Sequence, residues 1–164
     1  MAAHHSPFPR FARQDKKKQR SGWLPLDLGG QEVVGRLHLQ LRPGPEAAGE
    51  GRHALDRFDG ALKEEQLAEL RLLVTELLSN SVKHGGGHDW ITLDVELYAD
   101  AVRAVVTDHG GGFEPEPHPQ PHADRPGGWG LCLVDRLADR WGVERDGGTA
   151  VWFELARIGF AHAV

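Results

Sequence analysis

The chain has 164 residues, of which 40% are apolar, a size and composition that suit one domain with a buried core. Its formal net charge of -5 is unevenly distributed, because residues 1–22 carry six lysines and arginines against one aspartate, and the acidic remainder argues against nucleic acid as a partner. The single cysteine, Cys132, excludes an internal disulfide, and the lack of a secretory signal or of an apolar run of about 20 residues leads us to expect a cytoplasmic protein outside the membrane.

Residues 1–25 lack apolar periodicity and contain prolines and a lysine run, which predicts a basic, disordered leader. A single folded domain is expected over residues 26–164. Apolar and polar residues alternate from Glu32 to Leu41, a pattern typical of a half-buried strand. After a break rich in proline and glycine, a short helix is predicted between Ala47 and Phe58.

The clearest helix is predicted from Lys63 to His84 and ends at a run of three glycines. Its buried face is expected to consist of residues that recur at steps of three and four: Leu67, Leu70, Leu73, Val74, Leu77, Leu78 and Ser81.

The remainder of the chain is predicted to alternate strands with one loop and one helix. A long loop from Gly110 to Gly128 is rich in glycine, proline and histidine. The predicted elements are strands at Trp90–Tyr98 and Ala101–Thr107, a helix from Gly130 to Trp141, and strands at Val143–Arg145 and Ala150–Leu155. This order predicts an α+β two-layer sandwich, with helices on one face of a mixed, mostly antiparallel sheet.

The long helix carries a polar stripe beside its apolar face, because Glu76, Asn80 and His84 follow one another at spacings of four. An asparagine amide oxygen is a suitable ligand for Mg²⁺, which often takes only one or two protein ligands beside water and phosphate oxygens. A glutamate one turn away can accept a hydroxyl proton. Taken alone, such a stripe also fits an ordinary solvated helix edge.

Two further segments have the chemistry of a nucleotide site. Asp108 directly follows a predicted strand, and after His109 come Gly110, Gly111 and Gly112, which allow a flat ring to approach the backbone while the carboxylate accepts from an amine. Thr149 begins the last strand with a hydroxyl that can assist Asp108. Each residue also has an ordinary structural explanation, as a turn or a strand former.

A glycine-rich segment opens the predicted second helix, and the unpaired N–H groups of a helix start attract anions such as phosphate. Arg125, just upstream, is a candidate donor to a terminal phosphate. A Walker-type phosphate loop, a dinucleotide-binding glycine motif and an EF-hand are all absent from the sequence. The glycine-rich segment consists of Gly127, Gly128, Trp129, Gly130 and Leu131.

The order of these motifs resembles the ATPase superfamily that includes DNA gyrase, the heat-shock 90 chaperone, histidine kinases and MutL. Within it, the chain is similar to the anti-sigma-factor serine kinases over about residues 30–156. Two stretches carry the closer match: Leu72-Leu-Val-Thr-Glu-Leu-Leu-Ser-Asn-Ser-Val-Lys-His84 and Gly128-Trp-Gly-Leu-Cys-Leu-Val-Asp-Arg-Leu-Ala-Asp-Arg-Trp-Gly142.

The resemblance implies a Bergerat-type fold that binds ATP under a mobile lid at residues 113–127. It assigns Mg²⁺ to Asn80, the general base to Glu76 and the adenine contact to Asp108, with a structural or substrate-side role for His84 left open. The implied partners are a sigma factor and an antagonist protein that supplies the acceptor serine or threonine, and the implied assembly is a homodimer. The remaining implied contacts are Gly110, Gly112 and Thr149 at the adenine, and Gly128 and Gly130 at the phosphates.

Three alternatives remain open on the sequence. The first is a nucleotide-dependent binding module that sequesters a partner without phosphotransfer. The second is the catalytic fragment of a sensor histidine kinase, although residues 1–30 offer neither a membrane span nor a hairpin with an acceptor histidine. The third is a metal site formed by His4, His5, His118 and His122, whose spacing matches no closed site.

Overall fold

The computed structural model describes residues 31–85, 89–110, 130–145 and 147–157. The basic leader and the expected lid at residues 113–127 therefore lie outside the described residues. None of the helices in the described ranges has the length and apolar character needed to cross a membrane. The elements in chain order are β1 (Val33–Leu41), α1 (Ala47–Ala54), a 3₁₀-helix (Leu55–Phe58), α2 (Glu64–His84), β2 (Ile91–Tyr98), β3 (Ala101–Asp108), α3 (Gly130–Leu137), β4 (Arg140–Arg145) and β5 (Thr149–Ala156).

The five strands form one sheet in the order β1-β2-β3-β5-β4, and every neighbouring pair is antiparallel. Helix α2 packs against the sheet, and α1 and α3 pack against α2. The predicted α+β two-layer fold is confirmed, with a wholly antiparallel five-stranded sheet where a mixed, mostly antiparallel one was expected. The register brings the end of β3 beside the start of β5, with Asp108 opposite Thr149.

Helix α2 supplies most of the contact between the two layers. All seven residues predicted for its inner face are buried, and the six apolar ones belong to one cluster with sheet residues such as Leu93 and Phe153. Acidic Glu64 and Glu65 occupy its first turn and basic Lys83 and His84 its last, which suits the partial charges of the helix ends. Burial of one complete face fixes the rotation of α2, and with it the direction of the polar stripe.

Two glycines in α1 have opposite surroundings and give a test of this packing. Gly51 faces α2 so closely that an added Cβ would lie 2.2 Å from Cδ1 of Leu78, whereas a Cβ on the exposed Gly49 would meet nothing within 4 Å. We expect Gly51→Ala to lower the free energy of unfolding by about 1–3 kcal/mol through overpacking. We expect Gly49→Ala to raise it by about 0.5–1 kcal/mol through helix propensity. Urea unfolding measures both values, and equal stabilities for the two variants would contradict the packing of α1 on α2.

The predicted second helix extends too far in one respect. Helix α3 ends at Leu137, and β4 begins at Arg140, so Trp141 lies in a strand and not in a helix. Pairing with β5 overrides the helical pattern, because Trp141 lies opposite Phe153 and its indole N–H donates to Asp135 at 3.0 Å. The chain reverses at Asp139, whose backbone N–H donates to the carbonyl oxygen of Glu154 at 3.0 Å.

The sheet face opposite the helices carries a row of alternating charge that crosses all five strands. Glu96 and Glu154 are only 2% and 4% exposed, although they alternate with core residues and belong to the face without helices. Their partners lie at 3.1 Å (Arg36 Nε to Glu96 Oε1) and 3.3 Å (Arg140 Nη1 to Glu154 Oε2). Burial raises the pKa of the Glu154 carboxyl, and Arg140 and Arg103 oppose that rise. The row comprises Arg36, Glu96, Arg103, Glu154 and Arg140.

Candidate functional site

Helix α2 presents the predicted polar stripe along the border of its buried face. Glu76 and Asn80 are half-buried, and His84 is exposed in the last turn. The residues on the inner side of α2 belong to the buried core. The Glu76 carboxylate and the Asn80 amide therefore lie at the edge of the apolar layer. This edge gives both groups a partly dry environment that still opens outward.

Asp108 occupies the last position of β3 and is half-buried. Its Oδ1 accepts a hydrogen bond of 3.0 Å from the backbone N–H of Gly110, so the turn after the strand orients the carboxylate. This bond leaves the second carboxylate oxygen for another donor, such as an exocyclic amine. Gly110, which was predicted to shape a ring pocket together with Asp108, therefore contacts that residue directly.

The end of α2 touches the end of β3 through two glycines. An added Cβ on Gly110 would lie 2.5 Å from Cα of Gly85, and one on Gly85 would lie 3.1 Å from Cγ of Asp108. The backbone N–H of Gly85 still closes the helix on the carbonyl oxygen of Ser81 at 2.8 Å. From the sequence, Gly85 is predicted only to end the helix, although its position directly after the polar stripe is a signal for a second role.

Thr149 contributes a buried hydroxyl next to Asp108. The residue is 2% exposed, and its Oγ1 has no hydrogen-bond partner among the described residues. A buried hydroxyl without a partner costs about 1–3 kcal/mol, so such a group points to a ligand or water that completes it. Gly148 lets the chain pass close to Asp108, because an added Cβ there would lie 2.5 Å from the backbone oxygen of Asp108.

The start of α3 meets the middle of the polar stripe. An added Cβ on Gly130 would lie only 2.4 Å from Nδ2 of Asn80, so the Asn80 amide packs against the first turn of α3. The first N–H groups of a helix have no partner within the helix and favour an anion. Leu131, the next residue, is half-buried and packs against the core, which is the ordinary role of an apolar helix residue. The contact between Asn80 and Gly130 thus brings a side-chain amide close to the start of a helix.

Several predicted site residues cannot be placed. Gly112, Arg125, Gly127, Gly128 and Trp129 lie outside the described residues, as do the four histidines of the alternative metal site. Within the described ranges, no group of three or more histidine, cysteine, aspartate or glutamate side chains converges to hold a metal ion. A cation at this site would take Asn80 as its protein ligand and complete its shell with water and phosphate oxygens.

The described groups fit a nucleotide with Mg²⁺. The Asp108 carboxylate lies beside the Thr149 hydroxyl where β3 pairs with β5, and the hydroxyl has no partner among the described residues. Both groups suit the polar edge of a purine. Asn80 lies five residues before Gly85, which is about 7.5 Å along the helix axis. The Asn80 amide and the start of α3 therefore lie some distance from Asp108 and Thr149. The arrangement can therefore bind a molecule with a flat polar group at one end and anionic groups at the other.

The contact between Gly130 and Asn80 gives a direct test of the anionic end. We expect Gly130→Ala to displace the Asn80 amide and weaken binding of a Mg²⁺-nucleotide by about 10-fold, while the thermal unfolding midpoint stays near that of the wild type. Titration calorimetry measures the affinity. In an Asn80→Ala background the same change should cost little, because the group that it displaces is gone. Equal losses in both backgrounds would refute the contact.

A match to a known protein family covers the region that contains this site. Residues 41–155 match the family described as the histidine kinase-like ATPase domain. The serine-protein kinase RsbW of Listeria innocua is 30% identical over 131 residues, or 71% of this chain and 83% of that protein. Its namesake from Staphylococcus epidermidis is 28% identical over 101 residues, or 53% of this chain and 64% of that protein. The solved histidine kinase domain of a blue-light-activated histidine kinase from Erythrobacter litoralis is 26% identical at a TM-score of 0.45, over 68% of this chain and 59% of that one.

Proposed function

The chain belongs to the histidine kinase-like ATPase family and, within it, to the anti-sigma-factor serine kinases, and on this premise we propose that it binds Mg²⁺-ATP and phosphorylates a protein. The acceptor is a serine or threonine of an anti-sigma-factor antagonist, and the kinase controls a sigma factor by switching between the two partners. The observation that carries the proposal is the joint position of Asp108 and Thr149 beside the helix end that leads to Asn80.

The base end of the proposed site reads adenine. Asp108 accepts from the exocyclic amine, and the Thr149 hydroxyl, which lacks a partner among the described residues, hydrogen-bonds the same ring edge. Gly110 and Gly112 leave room for the ring. A site that bonds a polar edge in this way rejects a base without the matching donor, because its own buried groups are then left unpaired.

The phosphate end is formed by α2 and the start of α3. Asn80 ligates Mg²⁺, and the ion neutralises charge that develops on the transferred phosphoryl group. The proposed phosphate contacts of Gly127, Gly128, Trp129, Gly130 and Leu131 are those of a glycine-rich helix start. Arg125 adds a charge-assisted donor to a terminal phosphate. His84, in the last turn of α2, is a further proposed contact with the nucleotide.

Glu76 is the proposed catalytic base. It lies one turn of α2 before Asn80 and is half-buried, so the carboxylate is positioned beside the metal ligand without being one. When a substrate hydroxyl attacks the terminal phosphoryl group, Glu76 accepts its proton. Most of the remaining catalysis comes from positioning and electrostatic stabilisation.

The proposed partners are proteins. The kinase acts in the cytoplasm, holds a sigma factor through the same domain and works as a homodimer. Two of its relatives are named serine-protein kinases, which supports a serine as the acceptor. Nucleic acid and membrane are not proposed partners.

The direct experiment is phosphotransfer from labelled ATP. The candidate antagonist is identified by a pull-down from the native host with and without ATP, and it is incubated with the kinase and Mg²⁺. We expect one label per antagonist on a serine or threonine, and none on a variant whose acceptor is alanine. Label that appears on a histidine of the kinase itself would support a histidine kinase instead. ATP-dependent binding of the antagonist without any label would support a sequestering module and overturn the kinase activity.

A further inference from the structure

Three glycines surround Asp108 on three different elements, and we refer to Gly85, Gly110 and Gly148 as the glycine cluster. Gly85 ends α2, Gly110 follows β3, and Gly148 precedes β5. Added Cβ atoms would lie 3.1 Å from the Asp108 side chain at Gly85 and 2.5 Å from the Asp108 backbone oxygen at Gly148. Gly85 and Gly110 therefore lie beside the carboxyl group of Asp108, and Gly148 lies beside its backbone.

Backbone conformation does not explain these glycines. Among the described residues, positive φ angles occur only at Gly60 and Gly147, and Gly85 has φ -79° and ψ 11°, which any residue adopts. Alanine is therefore opposed by contacts and not by φ, and at position 148 the contact is with the backbone oxygen of Asp108. At Gly85 the closest contact of an added Cβ is with the carbonyl oxygen of Ser81 at 2.4 Å, and a second, tight contact follows with Cγ of Asp108 at 3.1 Å.

We propose that Gly85 and Gly148 are positioning residues that set the base selectivity of the site by fixing where the Asp108 carboxylate lies. The inference rests on the proposed nucleotide-binding function. An aspartate side chain has two rotatable bonds, and selectivity between bases requires its oxygen to stay within hydrogen-bond distance of one ring substituent. The Gly110 N–H orients the carboxylate from one side, and the absence of side chains at positions 85 and 148 lets it lie close to the helix end and to Thr149.

The experiment compares binding of ATP and inosine triphosphate, which carries a carbonyl oxygen in place of the adenine amine. For the wild type we expect a preference for ATP of about 10- to 100-fold, the size of one charge-assisted hydrogen bond. In Gly85→Ala the carboxylate is displaced, so ATP affinity should fall until the preference approaches unity, while inosine triphosphate affinity stays the same. Gly148→Ala should act in the same direction, because it moves the Asp108 backbone from the opposite side.

Two controls separate selectivity from general damage. Gly49→Ala, a matched change in α1 with nothing within 4 Å, should keep the wild-type preference. In an Asp108→Asn background, Gly85→Ala should change the preference no further, since the group through which it acts has been altered.

The outcomes distinguish this inference from the function on which it rests. A wild type that binds no ATP would refute the proposed function. A wild type that prefers ATP, with Gly85→Ala and Gly148→Ala keeping that preference, would overturn the inference alone. If Gly85→Ala fails to fold, Gly148→Ala carries the test from another element, and unfolding of both would overturn the inference by showing that the glycines serve the fold.

Discussion

Glu76→Gln is expected to lower phosphotransfer to a protein acceptor by about 10²- to 10⁴-fold while ATP affinity stays unchanged. Glutamine keeps the length and polarity of the side chain at this half-buried position, so α2 and the neighbouring Asn80 remain in place. It cannot accept the proton of the attacking hydroxyl. The loss should therefore appear in the rate of transfer and not in the binding of nucleotide.

The measurement is single-turnover transfer of labelled phosphate, with ATP affinity determined in parallel. Glu65→Gln is the matched control, because it makes the same change on the same helix at an exposed position in the first turn. We expect this control to transfer phosphate at the wild-type rate. Unchanged transfer by Glu76→Gln would remove Glu76 from the chemistry and leave the site without an identified base.

Asn80→Ala is expected to weaken Mg²⁺-dependent ATP binding by about 100-fold or more. Loss of an outer-shell partner of a metal ion typically costs about 10- to 100-fold in affinity, and loss of the direct ligand should cost at least as much. Removing the amide also empties the space against Gly130, where the two residues now meet. ATP binding in the presence of a chelator should change far less, because the substitution acts through the metal.

Titration of Mg²⁺ at fixed ATP separates these contributions. Ser79→Ala is the control, since it removes a small polar group from the adjacent half-buried position of α2. An Asn80→Ala variant whose ATP affinity falls equally with and without Mg²⁺ would show that Asn80 shapes the site without binding the ion.

Much of the fold could be predicted because its strongest patterns agree with its tertiary contacts. Helix α2 was predicted to within one residue, and its inner face was complete, because 21 residues of helical periodicity leave little choice of rotation. The β2–β3 hairpin and the glycine turn before β5 follow from equally local signals. The pairing of Asp108 with Thr149 is a consequence of these short connections.

The remaining features depend on contacts that periodicity does not record. Residues 138–141 continue a helical pattern, yet the chain forms β4 because a vacant sheet edge beside β5 stabilises it. Alternation marks Glu96 and Glu154 as solvent-facing, whereas their burial depends on arginines brought in from other strands. The tight contacts of Gly51 and Gly85 require the positions of Leu78 and Asp108, which only the folded chain supplies.

The members of the candidate site could be predicted from their order along the chain, but the contacts between them could not. Spacing along the chain suggested Asn80, Asp108 and Thr149 as members of one site, each with an ordinary alternative explanation. The contacts of Asn80 with Gly130, and of Gly85 with Asp108, bring the described members into one region. The Thr149 hydroxyl without a partner adds an observation that residue types alone do not provide. Roles for Gly112, Arg125, Gly127, Gly128 and Trp129 stay predictions.

The central claim is that one nucleotide binds with its adenine on Asp108, and isothermal titration of Mg²⁺-ATP into the wild type and Asp108→Asn tests it most directly. Asparagine keeps the shape of the side chain and the oxygen that accepts from Gly110, but loses the charge that favours the adenine amine. We expect one-to-one binding by the wild type and affinity about 10- to 100-fold weaker in the variant. Equal affinities, or no binding by the wild type, would contradict it.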